Sequence, residues 1–188
     1  MSVSSIVKSR RTARVFNQNP VDINLIKDVL SLARLSPSAG NLQPIKYGII
    51  VDEQTRKEMF PHIKYAGYIK EWNPSFIESP KAFIALFCDR EKAKLYECDL
   101  GLSMMTISYL LEEKGLKSCI IGALDRPKLE KILNADETLN LSYLIGVGYS
   151  DAKSEYYDEE KEVKYSIKDD FGFRVPKKPL EDIIILEK

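Results

Sequence analysis

The sequence predicts an α+β fold, with a mixed central β-sheet flanked by helices, in a single domain spanning residues 1–188. Helical and extended patterns alternate along the chain, several predicted strands are short and apolar throughout, and no linker divides it. The chain has 188 residues, 44% of them hydrophobic, so it can bury one sizeable core. Its 28 basic and 28 acidic residues balance. We therefore expect neither nucleic acid nor a membrane as a partner.

The hydrophobic spacing predicts five helices and five strands. The longest helix has no charged residue between Leu100 and Leu111, which predicts burial on most of its faces. The last strand is expected to extend to a partner subunit. Helices are predicted at residues 4–14, 23–33, 53–63, 91–114 and 127–133, strands at 47–51, 81–88, 117–121, 139–147 and 183–186, a turn-rich loop at 36–44, a lid-like loop at 65–79 and a long connection at 151–170.

A cluster of arginines lies near the start of the chain. On a helix, Arg10 and Arg14 are four residues apart and Arg11 and Arg14 three apart, so all three side chains can converge on one anion. Thr12 adds a hydroxyl donor. A phosphate monoester, with about −1.5 to −2 charges near pH 7, matches the forked donors of arginine. A solvated basic patch would show the same spacing, and both interpretations stay open.

The loop at residues 36–44 is rich in groups that suit a flat ligand. Pro37 and Pro44 restrict its backbone, while Ser38, Asn41 and Gln43 supply hydrogen-bond donors and acceptors. Amides suit a heterocycle whose edge alternates donors and acceptors, because each amide offers both. An isoalloxazine ring has such an edge. A polar turn without a ligand is the alternative.

Two weaker candidates come later in the chain. Gly122 follows Ile121 at the end of a predicted strand, where a backbone N–H could meet a flat ring; a plain strand-to-helix turn is the alternative. Lys177 and Lys178 precede the last strand. They could close a phosphate site from another part of the fold or simply lie on the surface.

Several kinds of site are not supported. The sequence contains neither GxGxxG nor a P-loop. His62 is the only histidine, and nothing around it indicates a catalytic triad or a metal site, so we expect it on the surface of a helix. We therefore predict no metal and no catalytic side chain. An active site without a general acid or a general base is typical of enzymes whose cofactor performs the difficult step.

The cysteines indicate a reducing compartment. Cys88, Cys98 and Cys119 are odd in number and lack CxxC spacing, so we expect buried free thiols and a cytoplasmic protein. Residues 1–19 contain no acidic residue, as a transit peptide would, which leaves targeting as an alternative.

The motifs, taken in order, resemble the FMN-dependent nitroreductase family over nearly the whole chain. The two N-terminal motifs together are specific, although either alone is not. The resemblance rests on Ser9-Arg10-Arg11-Thr12-Ala13-Arg14-Val15-Phe16, Pro37-Ser38-Ala39-Gly40-Asn41-Leu42-Gln43-Pro44, Asp99-Leu100-Gly101, and Gly115-Leu116-Lys117-Ser118-Cys119 with Ile121-Gly122.

The resemblance implies an obligate homodimer with FMN at the subunit interface. It implies a ping-pong mechanism, in which NAD(P)H reduces FMN and a second small-molecule electron acceptor then enters the same pocket. It implies that Arg10, Arg14 and either Lys178 or Lys177 bind the FMN phosphate, with Arg11 and Thr12 nearby. It implies that Ser38, Asn41 and Gln43 surround the ring and the ribityl chain. It also implies a backbone N–H near Ile121-Gly122 at the flavin N5.

The chain departs from the family pattern at three positions. Ile121 replaces an acidic residue, Ile45 replaces an aromatic one, and the C-terminal basic position is Lys178 where arginine is frequent. Lysine cannot bind phosphate in a bidentate manner. The leading hypothesis is an NAD(P)H-dependent oxidoreductase acting on nitroaromatics, quinones or related acceptors. A flavin-binding protein with a specialised role, such as a dehydrogenase, a deiodinase-like or a flavin-consuming protein, is the alternative, and a nucleic-acid-binding module is a third.

Overall fold

A computed structural model describes residues 2–65, 69, 74–89, 91 and 96–188. A four-stranded sheet in the order β1-β3-β6-β4 lies at its centre, with every neighbouring pair antiparallel. Thr12 adds a parallel bridge to Ser118 on β4. The strands are β1 (Ile45–Ile50), β2 (Ile63–Lys64), β3 (Ala82–Asp89), β4 (Lys117–Ile121), β5 (Ala123–Leu124), β6 (Leu139–Gly148), β7 (Glu155–Asp158), β8 (Ser166–Ile167) and β9 (Phe173–Lys177).

Helices cover both faces of this sheet. They are α1 (Val3–Ser9), α2 (Ile23–Ala33), α3 (Glu53–Met59), α4 (Tyr96–Glu113), α5 (Arg126–Ile132) and α6 (Leu180–Ile183). Strand β3 shows the two faces, because successive side chains of a strand point to opposite sides. Ile84 and Leu86 pack with α2 and α4, whereas Phe83 and Phe87 pack in a second cluster with Met59 of α3 and Leu129 of α5. The predicted α+β class is confirmed.

Strand β6 contains one extra residue opposite β3. Leu86 pairs with Tyr143, but its neighbour Phe87 pairs with Leu141, so Ser142 has no partner of its own on β3. A β-bulge of this kind reverses the alternation of side chains beyond it. Leu141 accordingly packs in the cluster that contains Phe87.

The helix expected at residues 4–14 is shorter than predicted. Helix α1 ends at Ser9, and Arg10 already has extended backbone angles. Ala13 N–H then donates to Ser118 O at 3.0 Å, which ties this segment to the edge of β4. The helical spacing proposed for the three arginines was therefore wrong, because pairing with the sheet edge outcompeted the helix.

Other boundaries also moved. The helix expected at 53–63 ends at Met59; a 3-10 turn, Phe60–His62, follows, and Ile63 then pairs with Leu124 of β5. The connection at 151–170 is partly ordered, because β7 pairs parallel with β9 and β8 pairs antiparallel with it. Much of the lid-like loop at 65–79, and the residues immediately before Tyr96, lie outside the described residues.

The predicted last strand at 183–186 is wrong for the single chain. Pro179 precedes the short helix α6, which ends at Ile183, and residues 184–188 have no regular structure. An apolar run predicts a strand only where a sheet edge can pair with it. Extension to a partner subunit stays a prediction.

Candidate functional site

Arg11 and Arg14 lie beneath aromatic side chains of the C-terminal half of the chain. The guanidinium carbon of Arg11 is 4.6 Å from the ring centre of Tyr156 on β7. Arg14 lies 4.4 Å from the ring centre of Tyr165 and 4.6 Å from that of Phe173. Such cation–π contacts are worth about 0.5–2 kcal/mol each. The three-stranded sheet β7-β9-β8 therefore holds both arginines in place.

The two arginines differ in how their donors are used. Arg11 donates from Nη2 to Lys8 O at 2.9 Å and from Nη1 to the carbonyl oxygen of Arg10. Burial and the charge of Arg10 lower the pKa of the Arg11 side chain, which nonetheless stays cationic. Within the described residues, the buried Nε atoms of Arg11 and Arg14 have no hydrogen-bond acceptor. Each arginine thus has one buried donor that the described part of the chain leaves unsatisfied.

The loop at residues 36–44 is attached to α4. Ala39 N–H donates to Oδ1 of Asp99 at 3.0 Å, and this carboxylate is only 5% exposed. Ser36 Oγ donates to Thr106 Oγ1 at 2.9 Å. These two hydrogen bonds thus connect the start and the middle of the loop to helix α4.

Inside the loop, the backbone adopts left-handed angles that most residues avoid. Gly40 and Asn41 both have φ of 55°, and Gln43 has φ of 50°. Ser38 Oγ accepts a hydrogen bond from Gln43 N–H at 3.1 Å. Left-handed non-glycine residues cost about 1–3 kcal/mol each and persist where their surroundings hold them. The loop is therefore preformed, with Asn41 and Gln43 exposed to solvent.

The end of β4 forms another part of the candidate site. Ile121 is 1% exposed and belongs to the core, whereas Gly122 is exposed. A Cβ at Gly122 would lie 2.9 Å from the ring of Tyr143, so Tyr143 already requires glycine at this position. The carbonyl of Gly122 accepts a hydrogen bond from Arg126 Nη2 at 3.1 Å.

The lysines near the C-terminus lie at the end of β9. Lys177 and Lys178 are both exposed. Lys178 Nζ donates to the carbonyl oxygen of Glu160, and Lys177 O accepts from Glu159 N–H at 2.7 Å. Neither contact involves the arginines.

In the single chain, eight of the predicted residues line three different cavities. Arg14, Ile121 and Gly122 line one of about 250 Å³. Arg11 and Thr12 line one of about 720 Å³ together with Lys117 and residues 150–156. Pro37, Ser38 and Gln43 line one of about 160 Å³, which also contains Tyr47, Asp99 and Ser103. Arg14 is thus joined to the end of β4, but not to the loop at 36–44.

Sequence reasoning missed the residues that surround these groups. The sequence predicts the connection at 151–170 but assigns neither Tyr156 nor Tyr165 to an arginine. It includes Asp99 in a motif without a role. An acidic residue at the start of an apolar helix was the available signal for Asp99.

Two further expectations can be compared with the structure. His62 lies in the 3-10 turn that follows α3 instead of in the helix, its side chain is 29% exposed, and its Nδ1 lies 3.5 Å from Asp125 Oδ2. Cys88 and Cys119 are buried as expected, but Cys98 is exposed. Among the described residues, no group of three or more His, Cys, Asp or Glu side chains could hold a metal ion. In the same part of the chain, no helix is long and apolar enough to cross a bilayer.

Comparison with known proteins identifies the family. The sequence model of the nitroreductase family matches residues 7–149. The chain therefore belongs to the nitroreductase family, a family of oxidoreductases, and the resemblance read from its motifs is confirmed.

Similar proteins carry more than one name. An iodotyrosine deiodinase from Thermotoga neapolitana is 27% identical, over 86% of this chain and 96% of that protein. A putative NAD(P)H nitroreductase from Streptococcus pyogenes is 25% identical, over 82% of this chain and 93% of that protein. Among solved structures, a variant of an FMN- and NADPH-dependent nitroreductase from Sphigopyxis sp. strain HMH superposes with a TM-score of 0.75 at 20% identity, covering 100% of both chains. This last likeness confirms the fold.

Proposed function

We propose that the protein is an FMN-dependent oxidoreductase that uses NAD(P)H to reduce nitroaromatics, quinones or related small-molecule acceptors. The observation that carries the proposal is Arg14, a half-buried cation in the same cavity as Ile121 and Gly122. Its Nε donor has no acceptor within the described residues. The family assignment and the FMN-dependent structural relative support the same cofactor.

The residues present fit this cofactor. A buried donor without an acceptor costs about 1–3 kcal/mol, and more when the group is charged. Arg11 and Arg14 each hold such a donor, and phosphate oxygens are among the acceptors that arginine binds best. Aromatic contacts fix both guanidinium groups, so little side-chain entropy is lost when an anion binds.

We assign roles to the predicted residues on this basis. Arg10, Arg14 and Lys178 or Lys177 would bind the FMN phosphate, with Arg11 and Thr12 nearby. Pro37 shapes the loop that presents Ser38, Asn41 and Gln43 to the ring and ribityl chain. A backbone N–H near Ile121-Gly122 would donate to the ring N5.

When bound, FMN supplies hydride transfer in a ping-pong sequence, from NAD(P)H in one half-reaction and to the oxidant in the other. The chain itself supplies binding and orientation. Its preformed loop is held by Asp99, and its arginines are fixed by aromatic rings. No side chain is assigned as a general base.

A homodimer is part of the proposal. The candidate groups lie in separate cavities of one chain, and we infer that a second copy brings the 36–44 loop to Arg14. The C-terminal segment supports this, because Ile183, Ile184, Ile185 and Leu186 are all exposed. Exposed apolar segments of this kind are typical of protein–protein contacts. The cytoplasmic location expected from the sequence stays a prediction.

The visible spectrum of the purified protein tests the cofactor. We expect flavin absorbance as isolated or after incubation with FMN and removal of the excess. Anaerobic mixing with NADH and with NADPH should then bleach the flavin, followed by recolouring with a nitroaromatic or quinone. A protein that is still colourless after incubation with FMN and removal of the excess would contradict the proposal.

Replacing Arg14 tests the residue assignment. We expect Arg14→Ala to weaken FMN affinity by about tenfold or more, because a charge-assisted hydrogen bond contributes roughly 1.5–3 kcal/mol. Fluorescence titration with FMN measures the change. Arg174→Ala is the matched control, because it removes an exposed arginine that also lies over a tyrosine ring, Tyr157 at 5.0 Å. Equal FMN affinity in both variants would reject the role of Arg14.

A specialised flavin-dependent role is the second candidate. The deiodinase relative, whose similarity spans 86% of this chain, favours it. The FMN-loaded protein should then release iodide from iodotyrosine under reducing conditions, and bleaching by NADH or NADPH should be slow. Rapid bleaching with nitroaromatic turnover and no iodide release would favour the first candidate.

A further inference from the structure

The cavity of about 250 Å³ at the end of β4 contains a group that the proposed function leaves unused. Its lining includes Arg14, Lys64, Tyr65, Cys119 and Gly122. Tyr65 follows β2 directly, and β2 pairs with β5 just beyond Gly122. This pairing brings the phenol to the cavity that Arg14 lines from another segment of the chain.

The Tyr65 hydroxyl is buried without compensation. Its oxygen is shielded from solvent and has no hydrogen-bond partner among the residues that the structure describes. Buried phenols normally find a partner, because the hydroxyl loses its bonds to water on burial. The Nε atom of Arg14 is likewise buried without a hydrogen-bond partner among the described residues. The two residues that hold these unsatisfied donors therefore line the same small cavity.

The protonation state of Tyr65 decides what it can do. Burial raises the pKa of its hydroxyl far above the usual value, and the nearby Cys119 and Glu78 raise it further. The phenol thus stays protonated at every pH at which the folded protein would be assayed. It can donate a hydrogen bond, but it cannot serve as a base.

We propose that Tyr65 is a ligand-binding residue whose hydroxyl donates a hydrogen bond to an oxygen of the planar conjugated group bound in this cavity. This inference rests on the proposed function. The oxygen belongs either to a carbonyl of the flavin ring or to the nitro or quinone group of the acceptor. Both accept hydrogen bonds and gain negative charge when electrons arrive, so a fixed donor favours the reduced form.

A purely structural tyrosine is the competing explanation, because Tyr65 also packs against the apolar cluster that contains Cys119 and Ile121. Ligand binding separates the two explanations. In the ligand-free chain, removing an unsatisfied buried hydroxyl relieves its desolvation cost under either explanation, so stability tests only whether the hydroxyl is unsatisfied. A tyrosine kept for packing would leave the affinity for ligands unchanged when its hydroxyl is removed, whereas a hydroxyl kept for a ligand would weaken binding.

The experiment compares wild type with Tyr65→Phe, which keeps the ring. We expect the ligand-free variant to melt at a higher temperature than ligand-free wild type. We also expect a loss of about tenfold in FMN affinity if the flavin is the ligand, or a rise of about tenfold in the KM for the oxidant if the acceptor is. Tyr47→Phe is the stability control. Its hydroxyl lies 2.8 Å from Ser103 Oγ, so its removal should lower the melting temperature.

Two outcomes support the inference. In the first, Tyr65→Phe raises the melting temperature and weakens FMN binding; in the second, it raises the melting temperature and weakens binding of the acceptor. An unchanged affinity for both, or a lower melting temperature, overturns it. Wild-type protein that binds no FMN would instead show that the proposed function has failed, which is distinguishable because it is seen before any variant is made.

Discussion

At the scale of single residues, the three cysteines occupy different environments. Cys98 is exposed on α4, whereas Cys88 and Cys119 are buried. Burial raises the pKa of the Cys119 thiol to about 11, an effect that the positive charge of Arg14 only partly offsets. Burial also raises the pKa of Cys88. Because the thiolate is the reactive form, burial lowers the reactivity of Cys88 and Cys119 in two ways. It blocks reagents from reaching the sulfur, and it keeps the thiol protonated.

We therefore predict selective alkylation. Iodoacetamide at pH 8 should modify Cys98 in the native protein, and Cys88 and Cys119 only after unfolding. Mass spectrometry of peptides measures the pattern. The Cys119 thiol stays neutral in the folded chain up to pH of about 11, but ionises near its ordinary pKa of 9.0 when unfolded. Its contribution to stability is therefore complete below pH 9 and is lost as the pH rises toward 11. Rapid native labelling of Cys119 would contradict this environment.

The residues of the candidate site were partly predictable. Donor-rich side chains that cluster in sequence single out Arg11, Arg14, Ser38 and Gln43 as candidates, and their binding roles stay predictions. Their partners were not found, because Tyr156 follows Arg11 by 145 positions and only the pairing of β7 with β9 sets its place. A short pattern reveals a group that can bind, whereas tertiary pairing decides what it contacts.

At the scale of elements, the loop at 36–44 is the feature that sequence predicted best. Its prolines and polar residues indicated a turn-rich loop, and the structure contains one, with left-handed angles at residues 40, 41 and 43. The segment at residues 10–14 was predicted worst. Its helical spacing is compatible with a helix, but a backbone hydrogen bond to Ser118 on β4 holds it extended.

Removing the Asp99 side chain should release this loop. We predict that Asp99→Ala speeds hydrogen exchange of the Ala39 amide by at least tenfold, because the amide loses its hydrogen-bond acceptor, Asp99 Oδ1 at 3.0 Å. Asp99→Asn keeps an acceptor oxygen and should exchange much more slowly. NMR or mass spectrometry measures the rates. If the loop contacts FMN as proposed, the alanine variant should also bind FMN more weakly.

An equal exchange rate in the alanine and asparagine variants would show that Asp99 does not hold the loop. Thr106→Val provides an independent comparison. It removes the acceptor for Ser36 Oγ while leaving the Ala39 contact in place.

At the scale of the whole molecule, the fold class was predictable and the C-terminal segment was not. Alternating apolar patterns indicate layers of helix and sheet. A run such as residues 183–186 needs a partner edge that one chain does not supply, so the structure has a short helix there. The single-domain organisation stays a prediction.

We predict that the C-terminal segment controls assembly. Deleting residues 180–188 should shift the protein from dimer to monomer and lower FMN retention, while the melting temperature of the ligand-free chain changes little, because α6 contains no buried residue. Sedimentation velocity measures the mass. Ile185→Asp should have the same effect, since Ile185 is 96% exposed in the single chain.

The matched control is Val163→Asp, which changes another exposed apolar residue, 65% exposed, outside this segment. It should leave the dimer intact. A dimer that persists after the deletion would show that another surface joins the subunits.

The extra residue in β6 lets two leucines at an odd spacing share one side of the sheet. Leu141 and Leu144 are three positions apart, yet both pack in the cluster that contains Phe87. In a regular strand, residues three positions apart point to opposite sides. Deleting Ser142 would leave Leu141 opposite Phe87 at the regular spacing of two, so the core tolerates the loss of this one codon, whereas the loss of a codon between Tyr143 and Val147 would shift the alternation of the buried half of the strand.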